Sequence, residues 1–272
     1  MFRDRGVEIK TPAQVELMRA AGLVVGETLE LLRTSLVAGM TTGDLDRIAE
    51  DHIRACGATP SFLGYGRPPF PATLCVSVND EVVHGIPGDR VIADGDLVSI
   101  DCGAIVEGWH GDSAVTLAVG EPPAAARRLL EVTEEAMWRG IGAAATGRRV
   151  GDISHAVERH VREAGDFGIV PDYTGHGIGT QMHQPPDVPN VGRAGRTRLV
   201  EGIALAVEPM VVLGEPWTHT DADDWTVRTD DGSLAAHFEH TFALTATGAW
   251  VLTALDGGRA RLAALGVPFG GP

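Results

Sequence analysis

The chain has 272 residues, 44% of them hydrophobic, which suffices for one large globular unit or two small ones. Its net charge of −15 argues against a general nucleic-acid binder, because a phosphate backbone demands basic surface. No run approaches the ~18 apolar residues of a membrane span, and the opening MFRDRGVEIK lacks the apolar core of a signal peptide. The three cysteines, Cys56, Cys75 and Cys102, form no CxxC pair and read as reduced thiols. A cytoplasmic location without membrane contact is expected.

In chain order, Thr11-Pro12-Ala13-Gln14 reads as a capping box with proline at the first helical position, and a helix is predicted from there to about Arg33. Thr41 or Thr42 opens a second helix with Leu45, Ile48, Ala49 and Ile53 on one face, ending near Cys56-Gly57. Ser61 to Pro71 is a loop rich in Gly, Pro and aromatic residues, and Leu74 to Asn79 alternates as a strand.

Leu97 to Thr116 reads as a β-hairpin about a two-residue Glu107-Gly108 turn. That turn pairs each position i with 215 − i, so Asp101 faces Ala114 and Asp112 faces Gly103. Both carboxylates then share one face as diagonal neighbours, roughly 7 Å apart or closer, while Val98, Ile100 and Cys102 take the other. Two acids beside an apolar strand are costly to bury unless something positive lies between them.

Beyond Pro122-Pro123 the order repeats. A long helix is predicted around Ala124–Ala145 and a shorter one around Asp152–Ala164, followed by strands Ile203–Val212, His237–Thr245 and Trp250–Thr253. One domain, 1–272, of mixed α+β type with a largely antiparallel sheet is expected.

Four further places combine acids or histidines with glycine or proline. His84 lies in VVHGIPG, His176 and His183 in GHGIGTQMHQPP, Glu208 in AVEPMV and Glu239 in HFEHTF. Each has a plain reading. His84 fits a surface turn, Glu239 a solvent-facing strand position, and the glycines about His176 a phosphate loop, though no Lys-Ser/Thr follows them. Glu208, inside an apolar strand, calls for a partner. His237 and His240 read as structural, and the remaining histidines as surface or core filler.

Taken together, Asp101, Asp112, His176, Glu208 and Glu239 are a hard, oxygen-rich donor set suited to a bridged pair of Mn²⁺, Fe²⁺, Co²⁺ or Zn²⁺ rather than to a structural zinc. Such pairs sit roughly 3.5–4 Å apart, acidify a shared water into a hydroxide nucleophile and polarise a carbonyl, which is equipment for hydrolysis.

The ordered motifs DCGA, HGDSA, GHGIG, MH, VEPM and FEHT, with HGIP upstream, resemble the type I methionine aminopeptidases from about Ile9 to Thr253. The resemblance implies the pita-bread fold, two similar halves around a central antiparallel sheet flanked by helices. It implies removal of the initiator methionine from nascent chains whose second residue is small. It also implies two divalent ions on the five residues above, with Asp112 and Glu239 bridging. His84 and His183 match the histidines that contact substrate, and Tyr65, Phe70, Cys75 and Trp225 match the methionine side-chain pocket. Glu208 is the candidate base, His183 the candidate partner of the developing oxyanion, and His84 the contact to the scissile amide. The implied partners are nascent polypeptide N-termini, with at most a transient ribosome contact given the negative charge, and the chain is expected to be a monomer.

The chain departs from the pattern at Gly66–Pro71, which is about two residues longer than the usual loop. It also departs at Phe70, where tyrosine is usual, and at Phe62, where a small residue or cysteine is common. These departures bear on pocket shape. Aminopeptidase P and prolidase share the fold and ligand order but usually carry a sizeable extra N-terminal domain, whereas about a hundred residues precede Asp101 here. A pita-bread protein kept only for binding would normally have lost ligands, and all five are present.

Overall fold

The computed structural model describes residues 6–192 and 196–272. In chain order it holds α1 (Pro12–Ser35), α2 (Thr42–Ala55), β1 (Thr59–Pro60), β2 (Leu74–Val78), β3 (Glu81–Val83), β4 (Leu97–Val106) and β5 (Trp109–Ala118). Next come α3 (Ala124–Thr146), α4 (Val150–Ala164), β6 (Gly168–Ile169), β7 (Gly175–Gly177), β8 (Gln184–Val188), β9 (Ala204–Val207) and β10 (Met210–Val212). The last are β11 (Thr218–Thr220), β12 (Val227–Thr229), β13 (Ala235–His237), β14 (Glu239–Thr245), β15 (Gly248–Val251) and α5 (Arg259–Ala264). Helix pair and then strands, twice over, is the order expected of the α+β class.

Both first-half helices begin on complete capping boxes. The Thr11 side chain accepts from the Gln14 amide, and the Thr41 side chain from that of Asp44, with the reciprocal bonds present. Each satisfies donors that a helix start leaves open, worth about 1 kcal/mol per cap.

The main sheet is antiparallel in all its recorded pairings and runs β1-β4-β5-β14-β9-β7-β8, with β2 on β4 and β15 on β14. Its central hairpin has the predicted register throughout: Asp101 faces Ala114 and Gly103 faces Asp112. Glu107 and Gly108 both have positive φ, 50° and 82°, as a two-residue turn matching strand twist requires. Alternation then sorts the faces. Val98, Ile100, Cys102, Val115, Leu117, Leu205, Val207, Phe242 and Leu244 join the apolar stripes of α1 to α4 in one core. The alternate residues of the hairpin point the other way.

Two predicted strands are broken. Ile203–Val212 divides into β9 and β10 around Glu208-Pro209, because proline has no N–H for the ladder. His237–Thr245 divides at Phe238. β13 pairs with β10, while β14 crosses to β5 and β9. Both breaks change sheet partner where an acid must face inward. No described helix is long and apolar enough to cross a membrane.

Candidate metal centre

Register alone assembles much of the site. Cys75 on β2 faces Asp101 on β4, Asp101 faces Ala114 on β5, and Ala114 faces Glu239 on β14. One row across four strands thus carries Cys75, Asp101 and Glu239, and the small Ala114 leaves room between the two acids. Asp112 is displaced by two residues on the same face. Hydroxyls on the same face brace the row. Thr241 Oγ1 donates to the Asp112 carbonyl at 2.8 Å, and Thr116 Oγ1 to that of His237 at 2.8 Å.

His176 arrives from β7, where the flanking glycines are a steric necessity. A Cβ at Gly175 would lie 2.3 Å from the Ala206 carbonyl oxygen, and one at Gly177 2.3 Å from that of Pro185. The ring's Nδ1 lies 3.1 Å from the Gly177 carbonyl. A carbonyl only accepts, so Nδ1 carries the proton and Nε2 presents its lone pair to the acids. Nε2 is 3.3 Å from Glu208 Oε1 and 4.0 Å from both Asp112 Oδ2 and Glu239 Oε1. Glu208 is held at its backbone by Asn190, whose Nδ2 donates to its carbonyl at 3.0 Å.

The donor atoms of Asp101, Asp112 and Glu239 lie within 4.8 Å of one another, as do those of His176, Glu208 and Glu239, so Glu239 belongs to both groups. Asp112 also groups with His176 and His183. Asp101 Oδ1, Asp112 Oδ1 and Glu239 Oε1 are buried without any hydrogen-bond partner. Orphaned acceptors facing a lone pair at such spacing are satisfied by cations, and the donor set is the hard one that binds divalent ions. The residues therefore fit a metal.

Electrostatics agree. Burial, and then the neighbouring Asp101 and Glu208 charges, push Asp112 well above the ordinary carboxylate range. Burial and the surrounding acids do the same to Glu239, and burial does so to Glu208. Asp101 rises to about 7, chiefly by burial. Burial lowers His176 to about 3 and His84 to about 4.

A carboxyl whose folded pKa exceeds its unfolded one stabilises fully below the unfolded value and loses that contribution as pH rises through the folded value. The depressed histidines act oppositely, but above their unfolded value of 6.5 they are neutral in both states. The ion-free chain is therefore expected to lose thermal stability as pH rises from there through about 7 and beyond, and added divalent ion should restore it. Calorimetry in chelator across that range is the check, and a flat melting temperature would contradict the assignment.

The acids line a cavity of about 230 Å³ whose other residues include Phe62, Tyr65, Phe70, Cys75, His84, Met182, His183 and Trp225. All eleven residues singled out from the sequence meet there. Phe62, Phe70, Cys75 and Met182 pack as one apolar cluster with Trp225 against it, giving the cavity an apolar end. The longer loop leaves this end intact. Residues 65–69 stay exposed while Phe70, 2% exposed, turns inward, fixed by its amide donating to the Tyr65 carbonyl at 2.7 Å. Phe70 and Trp225 meet edge to face at 5.2 Å between centroids.

His84 follows β3 directly and has φ 60°, a left-handed conformation that costs a non-glycine residue about 1–2 kcal/mol. It persists because Gly85 is bonded to β2, its amide donating to Ser77 Oγ at 3.0 Å and its carbonyl accepting from Val76 at 2.8 Å. His183 stacks edgewise on His176 at 4.3 Å, and its Nδ1 lies 2.7 Å from the Tyr65 hydroxyl.

His237 needs a correction. It reads as structural in the sequence, yet it lines the cavity, 2% exposed, with Nε2 3.7 Å from Glu208 Oε2 and otherwise unpartnered. Its spacing of two from Glu239 was the available signal.

Residues 16–246 match the model of metallopeptidase family M24. The chain is 50% identical over 247 residues to a methionine aminopeptidase of Clostridium acetobutylicum, covering 90% of this chain and 98% of that one. It belongs to the methionine aminopeptidases of family M24. A crystal structure of methionine aminopeptidase from Thermotoga maritima superposes with a TM-score of 0.88 at 40% identity, covering 91% of this chain and 99% of that chain. A prolidase from Pyrococcus furiosus, at 23% identity and a TM-score of 0.73, covers 90% of this chain and 65% of that one, and shares the pita-bread fold. The fold expected from the motifs is thus borne out, and the enzyme is a metallopeptidase.

Proposed function

We propose that this chain, acting as one cytoplasmic domain and as a monomer, removes the N-terminal methionine from nascent polypeptides whose second residue is small. Two divalent ions, of Mn²⁺, Fe²⁺, Co²⁺ or Zn²⁺ type, would be held by Asp101, Asp112, His176, Glu208 and Glu239. Asp112 and Glu239 would serve both. The observation that carries this reading is the cavity's two ends: two three-donor groups sharing Glu239, beside an apolar cluster of Phe62, Phe70, Cys75 and Met182.

The ions, when bound, supply the Lewis acidity that acidifies water and polarises a carbonyl. The side chains do the rest. A methionine side chain lies among Phe70, Cys75, Met182 and Trp225, where a flexible thioether packs well against aromatic edges. Its free amine lies toward Asp101, which restricts cleavage to the first residue. Glu208, the candidate base, takes a proton on its carboxylate. Tyr65 Oη lies 2.7 Å from His183 Nδ1; in the tautomer we assign, the hydroxyl donates to Nδ1, and His183 Nε2 carries the ring proton and donates a hydrogen bond to the carbonyl oxygen as that atom gains charge. His84, neutral at pH 7 with a pKa near 4, contacts the scissile amide nitrogen. His237 Nε2, beside Glu208 Oε2, steadies that carboxylate.

The test is kcat/KM on Met-X-Ser peptides with X running from Gly to Leu, beside Leu-Ala-Ser, Ala-Ala-Ser and an Xaa-Pro peptide. Met-Ala-Ser is expected to be cleaved fastest. Leu-Ala-Ser should be slower by about 10–200-fold, the range for a small apolar misfit in a hydrophobic pocket, here a branched chain in place of a straight thioether. Met-Leu-Ser should be rejected for lack of room near His84. Equal cleavage of Leu-Ala-Ser would make this a general aminopeptidase, and preference for Xaa-Pro would place its specificity with prolidase.

A further inference from the structure

Away from the cavity, three ligand-type side chains meet where α1 packs on α2. His52 lies in the last turn of α2 and Cys56 is its C-cap four positions on, its amide donating to the His52 carbonyl at 3.0 Å, which keeps the two side chains on one side of the helix end. Glu27 comes from α1 opposite them. Their donor atoms all lie within 4.8 Å of one another, and Cys56 Sγ is 3.8 Å from His52 Nε2.

The hydrogen bonding behind His52 decides which nitrogen faces outward. The buried Thr28 hydroxyl donates to the Val24 carbonyl at 2.7 Å, which commits its only proton. Its 2.9 Å contact with His52 Nδ1 is therefore an N–H donating to the hydroxyl oxygen. In the neutral ring this leaves the Nε2 lone pair aimed at Cys56. Fixing one imidazole nitrogen through a bond at the other is how proteins prepare a histidine for a metal. The spacing also suits an ion. Bonds of about 2.3 Å to sulfur and about 2.0 Å to nitrogen at the tetrahedral angle put the two donors about 3.5 Å apart.

We propose that Glu27, His52 and Cys56 form a second, separate metal site for a thiophilic divalent ion of zinc type, with water as the fourth ligand. The ion bolts α1 to α2. The thiol gives its proton to solvent on binding, as thiolate coordination requires. The sulfur donor sets this site apart from the cavity, whose converging acids and imidazole are hard.

The experiment is a Co²⁺ titration of the full chain, kept reduced with a non-chelating phosphine, read by the near-ultraviolet thiolate-to-cobalt charge-transfer band. The oxygen-rich cavity set cannot produce that band. Wild type is expected to develop it to the amplitude of one thiolate-bound ion within about three equivalents, since the cavity would take two, and Cys56→Ser to lack it. His52→Gln should weaken binding at least about tenfold, and Thr28→Val by about 10–100-fold, the range for losing the outer partner of a ligand. Peptide cleavage by Cys56→Ser should equal that of wild type. Absence of the band from wild type, or its survival in Cys56→Ser, overturns the proposal. The latter would put the thiolate at Cys75 or Cys102 instead.

Discussion

Asp112→Asn is expected to abolish activity and strip the chain of most bound metal while leaving the fold in place. Asp112 is 3% exposed and falls in two of the donor groups, so the change removes one negative charge from the point the two groups have in common. The loss should exceed about 100-fold, the upper end for losing only an outer partner of a ligand. The shape is nearly unchanged, and a carboxyl that burial keeps protonated in the fold, and that gains by ionising on unfolding, is gone. Without ions, the variant should therefore unfold at a higher temperature than wild type at neutral pH. Elemental analysis, a peptide assay and calorimetry together decide it. Full activity with full metal content in Asp112→Asn would remove Asp112 from the site.

His84→Ala and His183→Ala are expected to lower kcat by about 10²–10⁴-fold each, the range for acid–base and oxyanion groups, with metal content kept. For His183 this is a sharp distinction, because its donor atom lies within 4.8 Å of those of Asp112 and His176 and it could ligate. Its engagement by Tyr65 at Nδ1 and its position at the cavity's exposed rim favour the substrate role. Loss of an ion from His183→Ala would make it a ligand and refute the assignment. Tyr65→Phe, which removes the hydroxyl but keeps the ring, should reproduce part of the His183 defect in kcat.

How much of this can be read from the residues depends on the range of the interaction involved. The register of the Leu97–Thr116 hairpin is legible because strand alternation and a Glu-Gly turn are local and fix it together, though the second strand runs on to Ala118. The helix starts at Thr11 and Thr41 were legible for the same reason. The run Ile203–Val212 looked continuous, since apolarity gives no warning that Pro209 will break the ladder just where Glu208 turns inward. Short strands such as β7 and β12 carry too few residues for a period, and their partners are far off in sequence. His237 was passed over because its neighbours are apolar. What brings it to the cavity is Glu208, 29 positions earlier in the chain, whose Oε2 lies 3.7 Å from its Nε2. His52 and Cys56 were legible as a helix end, but only the packing of α1 brings Glu27 and Thr28 to them.

The two halves of the main sheet join through β5 and β14, a ladder whose recorded register is only Glu239 with Ala114 and His240 with Ser113, against ten pairs within the β4–β5 hairpin. Asp101 and Asp112 stand on one side of that join, and His176, Glu208 and Glu239 on the other. An ion-free site therefore leaves crowded, unpartnered acids across a two-pair seam, and a bound cation would act as a rivet across it. Metal affinity and the mechanical cohesion of the two halves are in this sense one quantity. A substitution that loosens the seam, at Ser113, Thr116 or Thr241, is expected to weaken the grip on ions without touching a proposed ligand side chain.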